Sequence, residues 1–501
     1  MRRTVLNTLA LPALVLAFYG RALGRYFVSD DFKLLEWALT RSWYEILSST
    51  DALHRPLILV SFRIRYWLME WATWGWNFSH LAIHALNAVL VWHLIARITR
   101  SNSAAWFGSV LFAVHYIHTE PVLWLSAMTT LAMTTGVCLA ALVATSDEAS
   151  PKLWLIAGLG TACAILSKEA AVVAPALLAT LIWFGHRAPR SWESFRIIIP
   201  SGLVVVAFLI WRALSGVVVT PSPSDAYALQ FGLNIPKNAL FIAISPLMSL
   251  DFRGLLDVWR VSGGQPALLI SGLAAHPGSF AAIIFAPIIY TYWWRSVDSS
   301  TRLGLLWMAI AALPFLLLKG AGERFVYLPS VGFCIAVGAT LDRFWRAAEG
   351  RRRWLLALVM AIVLAGHVAV GQRSINRWQA ASGVCQTVVA QLDRIVPTLP
   401  SESLVVVLGL PDNFGGAWVW RNGLPSVGRL RYGQKGIRIQ RFEELQSHPT
   451  DAIYLEFRRG LLISLSDTRT AGYFETGTIE GGATVGIDST HLAEGRYDGR
   501  F

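Results

Sequence analysis

Charge is what this chain has least of. Only 15% of its 501 residues are Asp, Glu, Lys or Arg, against 54% hydrophobic. That balance excludes both an ordinary soluble domain and a disordered chain. Cysteine is scarce as well. Of the four, Cys138, Cys163 and Cys334 lie inside apolar runs, where the thiol behaves as a small hydrophobe. Cys385 is alone in the C-terminal stretch, so no disulfide framework forms there, and no spacing suits zinc. Low-complexity tracts and internal repeats are missing. After residue 372 there is no helical period of about 34 residues.

What the chain has is long apolar runs. Mean hydropathy is +0.49, and runs of roughly 17–22 residues recur through the first three quarters, the length that crosses a hydrocarbon core as helix. They fall at about 5–19, 79–96, 103–117, 120–144, 153–167, 169–185, 195–214, 278–294, 303–319, 325–342 and 354–371. The fold expected is an α-helical polytopic membrane protein with about eleven transmembrane helices. Residues 1–371 form that unit, with long outer loops at 21–78 and 215–277. Residues 372–501 form a small C-terminal α/β extramembrane domain. Leu404–Leu408, Ala452–Phe457 and Leu461–Leu465 read as its strands, with Pro411-Asp412-Asn413, Gly415-Gly416 and Gly460 as turns. The 22 Trp fit two interfacial belts.

A net charge of +12 would point to nucleic acid in a soluble protein. Here the surplus sits in short loops between runs, so it reports topology and implies no nucleic-acid partner. The segment after Met1-Arg2-Arg3 resembles a secretory signal but has no convincing cleavage site, so it reads as an uncleaved first span with a cytoplasmic N-terminus. Inside loops then hold Arg97, Arg100, Lys152, Arg187, Arg190, Arg196, Arg295, Arg302 and the Arg343–Arg353 cluster, while the opposite short turns hold only Lys168, Lys319 and Arg324. With no organellar targeting segment, the expected location is a bacterial inner membrane. The long loops, the acidic turns and the C-terminal domain would then face the periplasm.

The ionisable residues of that outer side recur at span ends. Asp30 and Asp31 open the first loop, as a capped solvated turn or as part of a site. His54-Arg55-Pro56-Leu57 follows, then His115, His118 and Glu120, then Lys168-Glu169, then Glu323-Arg324. Lys168 alone could be a snorkelling side chain, and Glu323-Arg324 a local ion pair. His80, His84 and Asn87, at helical spacing on one face, read as bonds to neighbouring helices. Together the outer groups fit one chemistry. Lys168, Arg324 and Arg55 supply donors for a lipid-phosphate leaving group, and a carboxylate accepts the proton of an incoming hydroxyl. Asp31 and Glu120 with a His could hold Mg²⁺ or Mn²⁺, but base catalysis by carboxylate needs no metal.

Five motifs in order, Ser29-Asp30-Asp31-Phe32, His54-Arg55-Pro56-Leu57, His115-Tyr116-Ile117-His118-Thr119-Glu120, Leu166-Ser167-Lys168-Glu169 and Glu323-Arg324-Phe325-Val326-Tyr327-Leu328-Pro329-Ser330, resemble the GT-C membrane glycosyltransferases. The likeness is nearest to the transmembrane O-mannosyltransferases with tetratricopeptide repeats and their bacterial relatives, and covers about residues 1–345. It implies a polyprenyl-phosphate sugar donor and a hydroxyl acceptor. Asp31 would be the base with Asp30 beside it, and Glu120 a second acid. Arg55, His54, His115, His118, Lys168, Glu169, Glu323, Arg324 and Tyr327 would bind substrate. The mixed α/β tail departs from those relatives and leaves the acceptor open: protein, glycolipid or glycan. Three rivals remain at this level: a transporter or flippase of lipid-linked sugars, a ligase built on the 215–277 loop, and a non-catalytic envelope assembly protein.

Overall fold

The computed structural model describes residues 2–48, 55–146, 150–184, 195–215, 227–247, 277–296, 298–445 and 451–465, with isolated positions 265, 267, 271 and 449. His54, Arg187, Arg190, Pro221, Pro223, Gly263, Gly264 and Pro266 lie outside the described residues.

Each apolar run is helical. The helices are α1 (Arg2–Tyr19), α2 (Asp30–Thr40), α3 (Trp43–Ser48), α4 (Pro56–Met69), α5 (Thr73–Thr99) and α6 (Asn102–Val114). Next come α7 (Thr119–Leu123), α8 (Met128–Ala144), α9 (Pro151–Ser167), α10 (Ala174–Phe184), α11 (Ile198–Leu214) and α12 (Asn234–Ile244). Then follow α13 (Pro277–Ser296), α14 (Ser299–Leu316), α15 (Tyr327–Ala347) and α16 (Gly350–Ile395). Among the described residues, four helices are long and apolar enough to cross a membrane: Thr73–Thr99, Leu125–Ala144, Ser299–Leu316 and Gly350–Thr398. Five shorter apolar helices accompany them.

In lipid there is no hydrophobic gain from packing one apolar helix on another, so close backbone approach and polar contacts hold the bundle. A Cβ on Gly136 (α8) would lie 2.4 Å from the carbonyl of Gly160 (α9). One on Gly304 (α14) would lie 2.5 Å from the carbonyl of Gly332 (α15). Any side chain there would force the helices apart. The polar stripe of α5 bonds across helices as its spacing indicates. His80 Nδ1 meets Val122 O at 3.0 Å, His84 Nδ1 meets the Tyr327 hydroxyl at 2.7 Å, and Asn87 Nδ2 donates to Leu131 O at 3.1 Å.

The longest helix joins the two parts of the chain. With 46 residues, α16 extends about 70 Å, more than twice a hydrocarbon core. Its first half shows Trp354, Leu355, Leu358 and Ile362 at the surface, an apolar face that only lipid or a partner would cover. Its second half buries Ile375, Trp378, Cys385, Val389 and Leu392. The sequence-based boundary at 371/372 thus falls inside one continuous helix.

That second half packs against a four-stranded sheet of order β4-β1-β5-β6. Here β1 is Leu404–Leu408, β4 Arg438–Arg441, β5 Ile453–Arg458 and β6 Leu461–Ser464. β1 is parallel to β4 and β5, with Val406 opposite both Gln440 and Tyr454, and β6 is antiparallel. The unbroken apolar Leu404–Leu408 run suits a central strand covered on both faces. Gln391 of α16 clamps the β5–β6 hairpin, donating to Gly460 O at 2.8 Å and accepting from Leu462 N at 2.7 Å. Between β1 and β4 lie a small hairpin, β2 (Asn413–Phe414) and β3 (Ala417–Trp418), and helix α17 (Leu424–Tyr432). This excursion leaves the sheet and docks on the helical bundle.

Candidate active site

The two acids of the first loop have different surroundings. Asp30 and Asp31 open α2, where carboxylates suit the positive end of the helix dipole. The buried Phe27 and Phe32 pull the turn inward, and Asp31 goes with them, 1% exposed. Its Oδ2 accepts from Val28 N at 3.0 Å, and its Oδ1 from Ser126 N at 2.7 Å and Ser126 Oγ at 2.6 Å. Burial pushes the Asp31 carboxyl up to about 6, while those hydrogen bonds and the charge of Arg25 pull the other way. Asp30 is half-buried. Its Oδ1 accepts from Asn422 Nδ2 at 2.8 Å, its one hydrogen bond among the described residues. Asp31 thus ties α2 to the turn before α8, while Asp30 stays half-buried with Asn422 as its side-chain partner.

The cations form a second pole. Arg324 NH1 donates to Glu120 Oε1 at 2.6 Å, and Arg324 N donates to Glu120 Oε2 at 3.0 Å. Their side chains are only 8% and 9% exposed. Burial alone would raise the Glu120 carboxyl, but the Arg324 charge and the hydrogen bonds outweigh it and hold it low. Arg324 therefore pairs with Glu120, not with its neighbour Glu323, whose Oε2 accepts from Thr119 Oγ1 at 3.4 Å. Arg55 makes a bidentate pair with Glu169, at 3.0 and 2.8 Å. Lys168 does not snorkel. It is 1% exposed, donates to Thr130 Oγ1 at 2.8 Å and lies 5.2 Å from the rings of Phe315 and Phe325.

Shared aromatic neighbours make the three cations one cluster. The Arg55 and Arg324 guanidinium groups lie 5.6 and 5.5 Å from the Tyr227 ring, and Arg324 also lies 4.7 Å from Phe325, the ring that Lys168 touches. Arg324 Nε donates to the Tyr227 hydroxyl at 3.2 Å. The Gly136–Gly160 crossing bears on this geometry, because α8 carries Thr130 and Lys168 directly follows the end of α9. Arg55 and Arg324 are each matched by a carboxylate, while Lys168, whose charged form is disfavoured by burial and by the Arg55 charge, has none among the described residues, so an anionic group would complete the cluster.

His115, His118 and Tyr327 are engaged inside the bundle. His115 Nε2 faces Pro246 O at 3.0 Å and its Nδ1 accepts from Ile117 N at 3.2 Å. His118 uses Phe112 O and Ser330 Oγ, both at 2.8 Å. The Tyr327 hydroxyl contacts His84 and Asn87. Donors from the protein likewise occupy the Asp31 and Glu120 oxygens. No group of three His, Cys, Asp or Glu gathers as a cation site among the described residues, so Asp31 and Glu120 do not fit as a shared metal seat. Four residues escaped the sequence reading: Ser126, Tyr227, Trp418 and Asn422. Trp418 Nε1 donates to Glu120 Oε1 at 3.3 Å, so the C-terminal unit touches both poles.

No protein-family model matches the chain. It is 24% identical over 354 residues to a protein O-mannosyl-transferase of Caenorhabditis elegans, F38B6.6, covering 66% of this chain and 50% of that one. It is 23% identical over 330 residues to the human protein O-mannosyl-transferase TMTC3, covering 57% and 35%. The chain is similar to these protein O-mannosyl-transferases. The likeness to O-mannosyltransferases read from the motifs agrees with these matches. Its fold matches that of apo ArnT from Cupriavidus metallidurans with a TM-score of 0.50 at 12% identity, covering 89% of this chain and 92% of that one. At that identity the match shows a shared fold and nothing about activity or substrate. The chain spans only 35–50% of the length of these two O-mannosyl-transferases.

Proposed function

We propose that the chain is an integral membrane glycosyltransferase that moves a sugar from a polyprenyl-phosphate donor to a hydroxyl acceptor. The observation that carries this reading is the pairing of a reachable acid, Asp30, with a buried cation cluster of Arg55, Lys168 and Arg324. The family likeness supplies the donor class. In the reaction, Asp30 accepts the proton of the acceptor hydroxyl as its oxygen attacks the anomeric carbon. The bond from that carbon to the phosphate oxygen breaks, and the phosphate leaves carrying both electrons. Lys168 and the two guanidinium groups take up the charge that develops there. Asp31 holds the loop in place through Val28 and Ser126. Hexoses and pentoses both suit this chemistry, and a protein, glycolipid or glycan hydroxyl serves as acceptor.

The same reading has all eleven apolar helices crossing a bacterial inner membrane, in a transmembrane unit to residue 371 followed by a periplasmic unit. The Lys and Arg bias of the short loops supports a cytoplasmic N-terminus and a periplasmic site. A binding measurement tests the leaving-group pole. Undecaprenyl phosphate titrated into purified protein should bind, and Lys168→Met should weaken it roughly ten- to hundredfold, the worth of one charge-assisted hydrogen bond. Equal affinity in the variant removes Lys168 from the phosphate site.

A further inference from the structure

We infer that the segment Leu410–Gly423 of the C-terminal unit is a wall of the sugar-transfer site, with Asn422 and Trp418 positioning Asp30 and Glu120 and the Trp418 and Trp124 indoles facing a sugar ring. This rests on the glycosyltransferase reading and adds to it a role for the C-terminal unit.

The segment meets the first loop at its most strained point. Ser29, the residue before the acid pair, has φ +47° and ψ −121°, a region that L side chains avoid and that persists only where surroundings over-determine it. Its N–H donates to Val419 O at 2.8 Å. One residue further, Trp420 stacks on Phe32 with ring centroids 5.5 Å apart and planes at 11°. Gly423 has φ +96°, and a Cβ there would lie 2.1 Å from the Ser29 carbonyl. Only glycine permits both that conformation and that approach. The far side is pinned too, with Arg441 donating to Trp420 O at 2.9 Å and Leu410 O at 3.0 Å.

Two side chains of this pinned segment end on acids of the two poles, Asn422 on Asp30 at 2.8 Å and Trp418 on Glu120 at 3.3 Å. The aromatic neighbours identify the ligand class. Trp418 and Trp124 have ring centroids 6.1 Å apart, and Arg324 lies 5.3 Å from the Trp124 ring. The Trp124 N–H, on a side chain 6% exposed, has no partner among the described residues. A buried indole N–H normally finds an acceptor, and a sugar combines an apolar C–H face with hydroxyl acceptors beside it.

The test uses the full chain in detergent micelles, with radiolabelled polyprenyl-phosphate sugars and membrane extract as acceptor. Trp418→Phe keeps a ring and loses the N–H. It should lower kcat about tenfold, the worth of one hydrogen bond to a charged group, leave donor KM within about twofold, and move the acidic limb of the pH profile upward. Asn422→Ala should lower kcat by a similar factor and leave donor KM within about twofold. Hydrogen exchange provides the second readout. Gly423→Val should raise exchange at the Ser29 amide about tenfold or more while α8 and α9 stay protected. Wild-type kinetics and pH profiles in both side-chain variants would reduce the segment to a brace and overturn the inference. Unchanged exchange in Gly423→Val would overturn the contact itself, whatever the activity. Absence of turnover with every donor would overturn the glycosyltransferase reading and the wall with it.

Discussion

Replacing Glu120 with Gln tests the central ion pair. The variant keeps the size of the side chain and removes its charge, leaving the Arg324 guanidinium, 8% exposed, without a counter-ion. The Oε1 position can still accept from Arg324 NH1 and Trp418. The amide that replaces Oε2 now points an N–H at the Arg324 backbone N–H, which donates across 3.0 Å in the native protein. Breaking a buried pair from one side costs about 3–5 kcal/mol, and replacing both partners with apolar groups costs far less. At about 2 °C per kcal/mol for a large chain, Glu120→Gln should melt roughly 6–10 °C below wild type. Glu120→Gln combined with Arg324→Met should recover at least half of that loss. Thermal unfolding of the four proteins in one detergent, arranged as a double-mutant cycle, reads the coupling directly. A single variant melting within about 2 °C of wild type, or a double variant showing the plain sum of two losses, would refute the reasoning.

Other consequences follow from the same geometry. Asp31 holds its proton to about pH 6 in the folded protein but only to about 4 when unfolded. Its contribution is therefore full below about pH 4 and is lost as pH rises through about 6, a change of about 3 kcal/mol. The melting temperature of Asp31→Asn, compared with wild type between about pH 4 and 7, should lack this fall, and parallel curves would show that Asp31 is not the titrating group. Gly136→Leu should separate α8 from α9, costing about 1–3 kcal/mol by overpacking, and should weaken undecaprenyl phosphate binding by moving Thr130 away from Lys168. Wild-type binding with lowered stability would uncouple the crossing from the site. Arg55→Met leaves the half-buried Glu169 without its bidentate partner and should lower both stability and lipid-phosphate affinity, checked by melting and titration. A loss of stability alone would confine Arg55 to a structural role.

The parts of this protein legible in its sequence are those governed by local pattern. Apolar run length located the helices, because a hydrocarbon core sets that length independently of partners. The Leu404–Leu408 run announced a covered strand for the same reason. Lys168, Glu120 and Arg324 stood out as charges beside apolar runs. What the sequence concealed were pairings across the chain. Arg324 is adjacent to Glu323, yet it bonds to Glu120, 204 positions away. Trp418 and Asn422 reach partners 298 and 392 positions away, from a stretch whose Pro, Asp, Asn and Gly content reads only as turns. Burial also separated Asp30 from Asp31, two identical residue types that no sequence pattern ranks.

The most direct test of the account is release of polyprenyl phosphate from a panel of radiolabelled polyprenyl-phosphate sugars, comparing wild type with Asp30→Asn and Asp31→Asn. Wild type should turn over at least one donor. Asp30→Asn should lose about a hundredfold or more in rate, as expected for removal of a general base, while melting like wild type, whereas Asp31→Asn should show altered melting. Full turnover in Asp30→Asn, or no turnover of any donor by a well-folded wild type, would contradict the account.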